Sequence, residues 1–383
     1  MNGAVPDTIA AIVLPQRERY ERAAAGAIAL QVSRLAGPQD WVLGTKVDGE
    51  ALPGGRFVPV TLRGFGLTPA ARYAHAVART LRRLPRPPAC IEVHNRPEIA
   101  LHLARLLGRQ FPARLALFLH NDPQSMRRAD TPRARAALLR RMAVVCVSDW
   151  LRGRFVEGLA ADAPVAVLHN GLDPAALPAS LPVDARDPVL LFVGRTVADK
   201  GADVFVEACA RALPELPGWR AAMLGADGFG AGAKQTPFMA WLREAAPRAG
   251  VELLGYRPHA ATLAEIARAA VVAVPSRWPE PFGLTALEAL ACGAPLVASA
   301  TGGMAEIVGG GEADGALLVA PGDAAALAAA LLRLARDPDL RARLQVAGLA
   351  RAQHFHIRRH RAALVRLRDS LYGSARSWSV GTY

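Results

Sequence analysis

Short apolar runs rich in valine, leucine and alanine alternate along this chain with longer segments whose apolar residues recur at helical spacing. Ala10-Ala-Ile-Val-Leu14 reads as a first strand, and Gly26–Leu35 as the helix after a polar loop. Residues 70–84 predict an amphipathic helix, with Tyr73, Val77, Leu81 and Leu84 in one stripe and Arg72, Arg79, Arg82 and Arg83 largely elsewhere. Three strand-to-loop passages repeat one arrangement: Cys90-Ile-Glu-Val into His94-Asn95-Arg96, Leu115–Leu119 into His120-Asn121-Asp122, and Val165–Leu168 into His169-Asn170. Val144–Val147 predicts a further strand between the last two. A proline-rich stretch, Pro174–Pro188, has the composition of a linker. A second strand–helix series then runs from Val189 to about Asp339, and a basic helix is expected over His354–Tyr372, followed by a frayed tail. Strands alternating with helices throughout specify parallel, doubly wound sheets, which bind ligands at the carboxyl ends of their strands.

At 383 residues the chain is long enough for two domains, each with its own core. Although 52% of residues are hydrophobic, no uninterrupted apolar run approaches the ~20 residues of a membrane span. The first residues lack the basic and apolar regions of a signal peptide, so none is expected. Cys90, Cys146, Cys209 and Cys292 sit singly in apolar segments, which suggests buried reduced thiols with no metal-ligand spacing and a cytoplasmic protein.

The net charge is +13, and residues 1–180 carry 24 Lys and Arg against 14 Asp and Glu, so most of the excess lies there. An anionic partner, such as a membrane surface, a lipid diphosphate or nucleic acid, would account for this asymmetry, and a compositional preference for arginine also contributes. Aromatic residues total 6% and do not interleave with basic ones, so no nucleic acid is expected. The helix over residues 70–84 either packs on a core or also lies on an anionic membrane. Arg127, Arg128, Arg133, Arg135, Arg140 and Arg141 crowd a second stretch that is either a solvated face or a contact for an acceptor diphosphate or lipid headgroups.

The most informative segment runs from Pro275 to Gly293. An apolar run, Val271–Val274, leads into Trp278-Pro-Glu280-Pro-Phe282-Gly283-Leu284-Thr285; a helix over Leu284–Cys292 follows and closes at Gly293, before the next apolar run, Leu296–Ala298. The helix N-terminus thus falls at the carboxyl end of a parallel sheet, where unpaired amides and the helix dipole favour an anion. Gly283 lets backbone approach a ligand, and Glu280 and Glu288, with seven residues between them, can each accept hydroxyl hydrogens. Phosphate at the amides and polyol at the carboxylates is the chemistry of a nucleotide-sugar. Singly, each glutamate also reads as an ordinary solvated acid, and each basic residue as a surface charge.

The Glu-x7-Glu pattern, written here Glu280-Pro-Phe-Gly-Leu…Glu288-Ala, resembles the retaining glycosyltransferases of family 4. Three more blocks agree in order and spacing: Phe192-Val-Gly194-Arg195 with Asp199-Lys200-Gly201, then Gly255-Tyr256, then Gly302-Gly303-Met304-Ala305-Glu306. The histidine-bearing strand ends resemble a subset that includes spore-coat and surface-polysaccharide glycosyltransferases. This resemblance implies the GT-B fold, two Rossmann-like parallel-sheet domains facing a central cleft. It implies an acceptor-side domain at 1–173, a linker at 174–188, a nucleotide-sugar domain at 189–353, and a segment at 354–383 whose helix crosses back to the first domain.

By the same resemblance, His120, Arg195, Lys200 and Glu280 are catalytic. Donor contacts come from Gly26, Gly194, Arg195, Lys200, Tyr256, Arg257, Glu280, Phe282, Gly283, Leu284, Thr285 and Glu288, with Glu288 on the ribose and Glu280 on the sugar. The family commonly has two glycines where this chain has Ala25-Gly26, which weakens a phosphate role for that loop. His94, Asn95 and Arg96 are acceptor-side candidates. No cofactor or metal is implied: the substrate would be a UDP-, GDP- or ADP-sugar, and the acceptor a glycan or lipid-linked saccharide. The reading is a peripheral enzyme on the cytoplasmic face of the inner membrane, active in surface-polysaccharide or lipopolysaccharide biosynthesis. A sugar-nucleotide epimerase or a non-catalytic nucleotide-sugar-binding protein is the alternative. A phosphorylase would need a cofactor lysine, and only Lys200 and Lys234 lie beyond residue 180. The sequence does not specify an oligomeric state.

Overall fold

The computed structural model describes residues 8–62, 66–108, 111, 114–227 and 236–372; Lys234 and the tail expected at 373–383 lie outside them. In chain order the elements are β1 (Ala10–Val13), α1 (Ala27–Leu35), β2 (Trp41–Thr45), β3 (Arg56–Val60), α2 (Pro69–Leu81), β4 (Cys90–His94), α3 (Pro97–Leu107), β5 (Arg114–Leu119), α4 (Pro132–Leu139), β6 (Ala143–Cys146), α5 (Asp149–Val156) and β7 (Val165–Val167). A second series follows: β8 (Asp187–Val193), α6 (Ala202–Ala212), β9 (Arg220–Leu224), α7 (Pro237–Arg248), β10 (Val251–Gly255), α8 (His259–Arg268), β11 (Ala269–Val274), α9 (Leu284–Ala291), β12 (Leu296–Ala298), α10 (Met304–Val308), β13 (Ala316–Leu318), α11 (Ala324–Arg336) and α12 (Pro338–Ala352). The last helix is α13 (Ile357–Tyr372).

The chain forms two units, one comprising residues up to Gly171 together with those from Ile357 onward, the other Leu172–His356. In the first, seven strands run parallel in the order β3-β2-β1-β4-β5-β6-β7. In the second, six run parallel in the order β10-β9-β8-β11-β12-β13. Both are Rossmann-like: the strand order reverses beside β1 in one sheet and beside β8 in the other, which places a ligand crevice at those strand ends. Helices cover both faces of such sheets, so the central strands read as unbroken apolar runs; every residue of β1 and of β11 is buried.

Helix α13 belongs to the first unit. Leu364, Leu367 and Leu371 pack against Phe118, Val145 and Leu168 of its sheet. On its buried side Arg368 donates to both oxygens of Glu92, at 2.8 and 2.9 Å, and to Asp40 at 3.0 Å. Asp40 also accepts from the Ala10 amide at 2.8 Å, so one cation joins three elements of the sheet. Helix α2 buries Tyr73, Val77 and Leu81 as its stripe requires, and Tyr73 donates to the Leu14 carbonyl at 3.0 Å.

The stretch 174–188 does not hang free. Arg186 is buried and donates to the carbonyls of Ala267 (2.7 Å), Cys292 (2.9 Å) and Gly293 (2.9 Å), while Gln345 donates to Ser180 and the Leu181 carbonyl, each at 2.7 Å. These bonds hold the segment to the second unit and move the boundary between units from the expected 173 to 171. Residues 354–356 likewise stay with the second unit, and the return starts at Ile357. The four cysteines are free and buried, and burial raises their thiol pKa values, to about 12 for Cys292.

Candidate active site

The second unit gathers its charged groups where the strand order reverses, at the ends of β8 and β11. After β8 the chain makes a short 3-10 turn over Ala198–Lys200 and enters α6 through Gly201, whose φ of 72° is left-handed. A Cβ at Gly201 would collide with the Pro275 carbonyl, so only glycine lets the turn lie this close to the end of β11. The Asp199 carbonyl fixes the contact by accepting from the amides of Arg277 (2.9 Å) and Trp278 (3.0 Å). Lys200 is thereby brought to Glu280, with Nζ 2.5 Å from Oε1. Ser276 donates its hydroxyl to the same oxygen at 2.6 Å.

Glu280 is 8% exposed, and its backbone is equally fixed. Its carbonyl accepts from the Gly303 amide at 2.6 Å, and it forms a parallel bridge to Gly302, itself at φ 61°. The Gly302-Gly303 pair thus supports the glutamate directly. Three residues on, Gly283 caps α9 at φ 98° with no side-chain cap, so the helix opens with the amides of Leu284 and Thr285 lacking intrahelical acceptors. Phe282 is buried and meets Phe355 edge-on, which anchors the loop from below.

Glu288 lies one turn into α9 and is 7% exposed. Its Oε1 lies 2.7 Å from Nε2 of His259, the first residue of α8. Tyr256 and Arg257, between β10 and α8, are respectively half-buried and exposed. Gly194 has φ 154°, and Arg195 beside it is exposed and in no ion pair among the described residues. The assembly therefore offers one paired and one unpaired cation, an open helix N-terminus and two oriented carboxylates. Lys200 retains two further N–H donors beyond the one given to Glu280, so it can hold the carboxylate and an anionic oxygen together.

In the first unit, His94 and His120 end adjacent strands, and His94 Nδ1 lies 2.8 Å from His120 Nε2. Their rings stack, and His94 stacks in turn on Phe118. Burial lowers the His94 pKa to about 3, with nearby Arg368 adding to the effect, and burial together with His94 holds His120 well below its ordinary 6.5. Two neutral imidazoles fit the contact, because one ring nitrogen must donate and the other accept. Asn95, at φ 55°, accepts from the amides of His120 and Asn121, each at 3.1 Å. His94 and Asn95, expected on the acceptor side, are thus buried, with His94 Nδ1 turned to His120 and Asn95 Oδ1 to the amides of His120 and Asn121; only Arg96 of the three is exposed.

Gly26 departs from expectation in a similar way. It caps α1, but Glu18 Oε1 accepts from the Ala29 amide at 3.0 Å, and a Cβ at Gly26 would collide with that carboxylate. The anion-favouring end of α1 is already occupied by the chain's own acid. Burial raises the Glu18 pKa against the opposing pull of the Ala29 amide, Arg96 and the Ile28 amide. Arg135, one of the crowded arginines, is also withdrawn from any surface role. It is 2% exposed and donates to the carbonyls of Phe155, Ala129 and Glu157.

The profile of the family described as "Glycosyl transferases group 1" matches residues 175–351, a span that lies within the second unit. The lipopolysaccharide core biosynthesis mannosyltransferase LpsB of Rhizobium meliloti is 32% identical over 247 residues, covering 61% of this chain and 67% of the relative. The chain belongs to the group 1 glycosyl transferases. A D-inositol 3-phosphate glycosyltransferase of Frankia alni is 39% identical over 189 residues, 48% of this chain, and the match spans only 45% of that relative's own length. Among solved structures, Anabaena HepE in complex with UDP and glucose superposes with a TM-score of 0.76 at 22% identity, over 94% of this chain and 99% of that one. At that identity the likeness speaks for the fold.

Within this family member, sequence reasoning did not find His259, Ser276 or Glu18. Ser276 lies inside the quoted Pro275–Gly293 segment, four residues before Glu280, and that spacing was the available signal. His259 gave none, because it is 29 residues from Glu288 and meets it only when α8 packs beside α9.

Proposed function

We propose that this chain is a retaining glycosyltransferase that moves a sugar from a nucleotide-diphosphate sugar to a glycan or lipid-linked saccharide. The observation that carries the reading is the cluster at the ends of β8 and β11, where Lys200, Ser276 and Glu280 meet three residues before the open N-terminus of α9, the helix that also carries Glu288. Arg195, Lys200 and the Leu284 and Thr285 amides would stabilise charge on the departing diphosphate, which is electrostatic catalysis by preorganised donors. Glu280 would take the donor-sugar hydroxyls and Glu288 the ribose. The acceptor hydroxyl would attack the anomeric carbon on the face from which the nucleotide leaves. As the carbon–oxygen bond to phosphate breaks, the departing phosphate oxygen takes the acceptor proton. No protein nucleophile is required.

The names of relatives support the choice of substrate class. LpsB is named a mannosyltransferase of lipopolysaccharide core biosynthesis, and HepE holds UDP and glucose. A role in surface-polysaccharide assembly and a place on the cytoplasmic membrane face belong to the same proposal. So does His120 as the group of the first unit beside the transferred sugar. Because cationic side chains meet the leaving-group charge, the reaction needs no metal ion. The test is transfer or slow donor hydrolysis across UDP-, GDP- and ADP-sugars, with and without EDTA. Turnover of one donor that persists in EDTA is the expected result. Inertness towards every donor would sink the reading, and loss on chelation with recovery on adding Mg²⁺ or Mn²⁺ would sink its metal-free part.

A further inference from the structure

We propose that His259 is a positioning residue that sets the ribose specificity of the donor site by holding the Glu288 carboxylate. The inference rests on the reading of Glu288 as the ribose ligand. Glu288 projects from α9 and is all but buried, while His259 projects from the first turn of α8, a separate element with its own strand on either side. Their contact, at 2.7 Å, is the tie between these two side chains across the helix pair. A glutamate has three side-chain torsions, and its terminal one is broad, so each fixed donor narrows the orientations its carboxylate samples. A donor on its Oε1, fixed to a neighbouring helix, restricts the plane of the carboxylate before any ligand arrives. Preorganisation of this kind improves affinity by removing the ordering cost from the binding step.

The position of His259 also separates its role from general support of the fold. It opens α8 without a side-chain capping bond, and its ring is more exposed than the carboxylate it touches. The apolar packing of α8 runs through Leu263, Ile266 and Ala267, on later turns. Loss of the imidazole should therefore loosen one carboxylate and leave the helix in place. The consequence is specific: contacts to a vicinal diol weaken, while contacts to the diphosphate, made by other groups, do not.

The experiment uses the full chain and titrates UDP, GDP and ADP by calorimetry, then compares the tightest binder with its 2′-deoxy and 3′-deoxy forms. In His259→Ala the ribonucleotide should weaken about tenfold, the scale typical when a group that orients a ligand-binding side chain is removed. The deoxy forms should weaken far less, so that discrimination between ribose and deoxyribose collapses. His259→Gln, whose amide N–H can reach a similar position, should restore part of it. With a donor sugar, KM should rise and kcat at saturation should change little. Equal weakening of ribo- and deoxynucleotides, or no weakening, would overturn the proposal. If Glu288→Gln leaves the discrimination intact, the ribose reading itself falls; if Glu288→Gln abolishes it and His259→Ala does not, only the positioning role falls. Failure of all three nucleotides to bind the unaltered chain would remove both.

Discussion

At the residue scale, the bond between Lys200 and Glu280 joins groups 80 residues apart in the chain. It depends on the left-handed Gly201 turn lying against the Pro275 carbonyl, a three-dimensional contact with no signature in one sequence. The bond changes what a substitution does. On the proposed mechanism Lys200→Ala would remove leaving-group stabilisation, and it would also leave Glu280, which is 8% exposed, with the Ser276 hydroxyl. We expect Arg195→Ala and Lys200→Ala each to slow transfer about a hundredfold, on the order of 3 kcal/mol. The two differ in coupling: Lys200→Ala with Glu280→Gln should cost less than the sum of the single changes, because the pair acts together. Arg195→Ala, with no acidic partner, should be additive with Glu280→Gln. Steady-state kinetics of the three single and two double variants read this out, and near-normal turnover in either single lysine or arginine variant would remove the diphosphate assignment.

The histidine pair makes a second prediction at this scale. His94 is neutral in the folded chain down to about pH 3, whereas an unfolded histidine protonates near 6.5. The unfolded state therefore binds more protons than the folded one between those values, so stability from this group is complete above pH 6.5 and is lost as pH falls below it. By pH 5 the loss from His94 alone should be ~2 kcal/mol. Urea unfolding at pH 7 and pH 5 measures it, and His94→Phe, which cannot titrate, should lose correspondingly less. An identical acid loss in the variant would place the effect in other groups.

At the scale of elements, long apolar-striped helices and valine-rich central strands were readable, and weakly patterned strands were not. β3, Arg56-Phe-Val-Pro-Val60, is an edge strand with a proline and little buried surface, so it lacks the apolar run that marks β1 or β11. Three of the five residues of β9 are alanine or methionine, which serve helices equally well. The segment expected to be a linker reads as one by its prolines, yet Arg186 makes it part of the second unit through carbonyls of Ala267 and of the Cys292-Gly293 pair. Helix α13 shows the opposite case: its basic composition was plain, but one of its arginines is a buried tie. Arg368→Met should destabilise the first unit by about 3–5 kcal/mol, because it leaves Glu92 and Asp40 as uncompensated buried charges. Replacing Arg368, Glu92 and Asp40 together with apolar residues should recover much of that loss. Thermal unfolding of the two variants tests the pair of expectations, and a single substitution that leaves the melting temperature unchanged would refute the tie.

At the scale of the whole molecule, the charge asymmetry predicts where the protein acts, and the structure sorts the arginines that produce it. Arg135 is buried among carbonyls, Arg127 pairs with Glu98 at 3.0 Å, and Arg79 and Arg82 donate to the carbonyls of Thr61 and Leu106. Arg72, Arg83, Arg128, Arg133 and Arg140 remain exposed, with no ion pair among the described residues. No helix among the described residues is long and apolar enough to cross a membrane. Basic residues close to an anionic surface contribute about 1 kcal/mol each, so even four acting together would give useful reversible binding. The protein should sediment with vesicles containing anionic phospholipid and not with neutral ones, and the binding should fall steeply between 50 and 300 mM salt, roughly the range over which the screening length shrinks from ~14 to ~6 Å. Replacing Arg72, Arg83, Arg133 and Arg140 together with Gln should abolish most of it, while Arg135→Gln should instead lower the melting temperature. Equal partitioning onto neutral and anionic vesicles would defeat the electrostatic argument. Efficient transfer to a small soluble acceptor, with no vesicle binding at low salt, would defeat the membrane location as well.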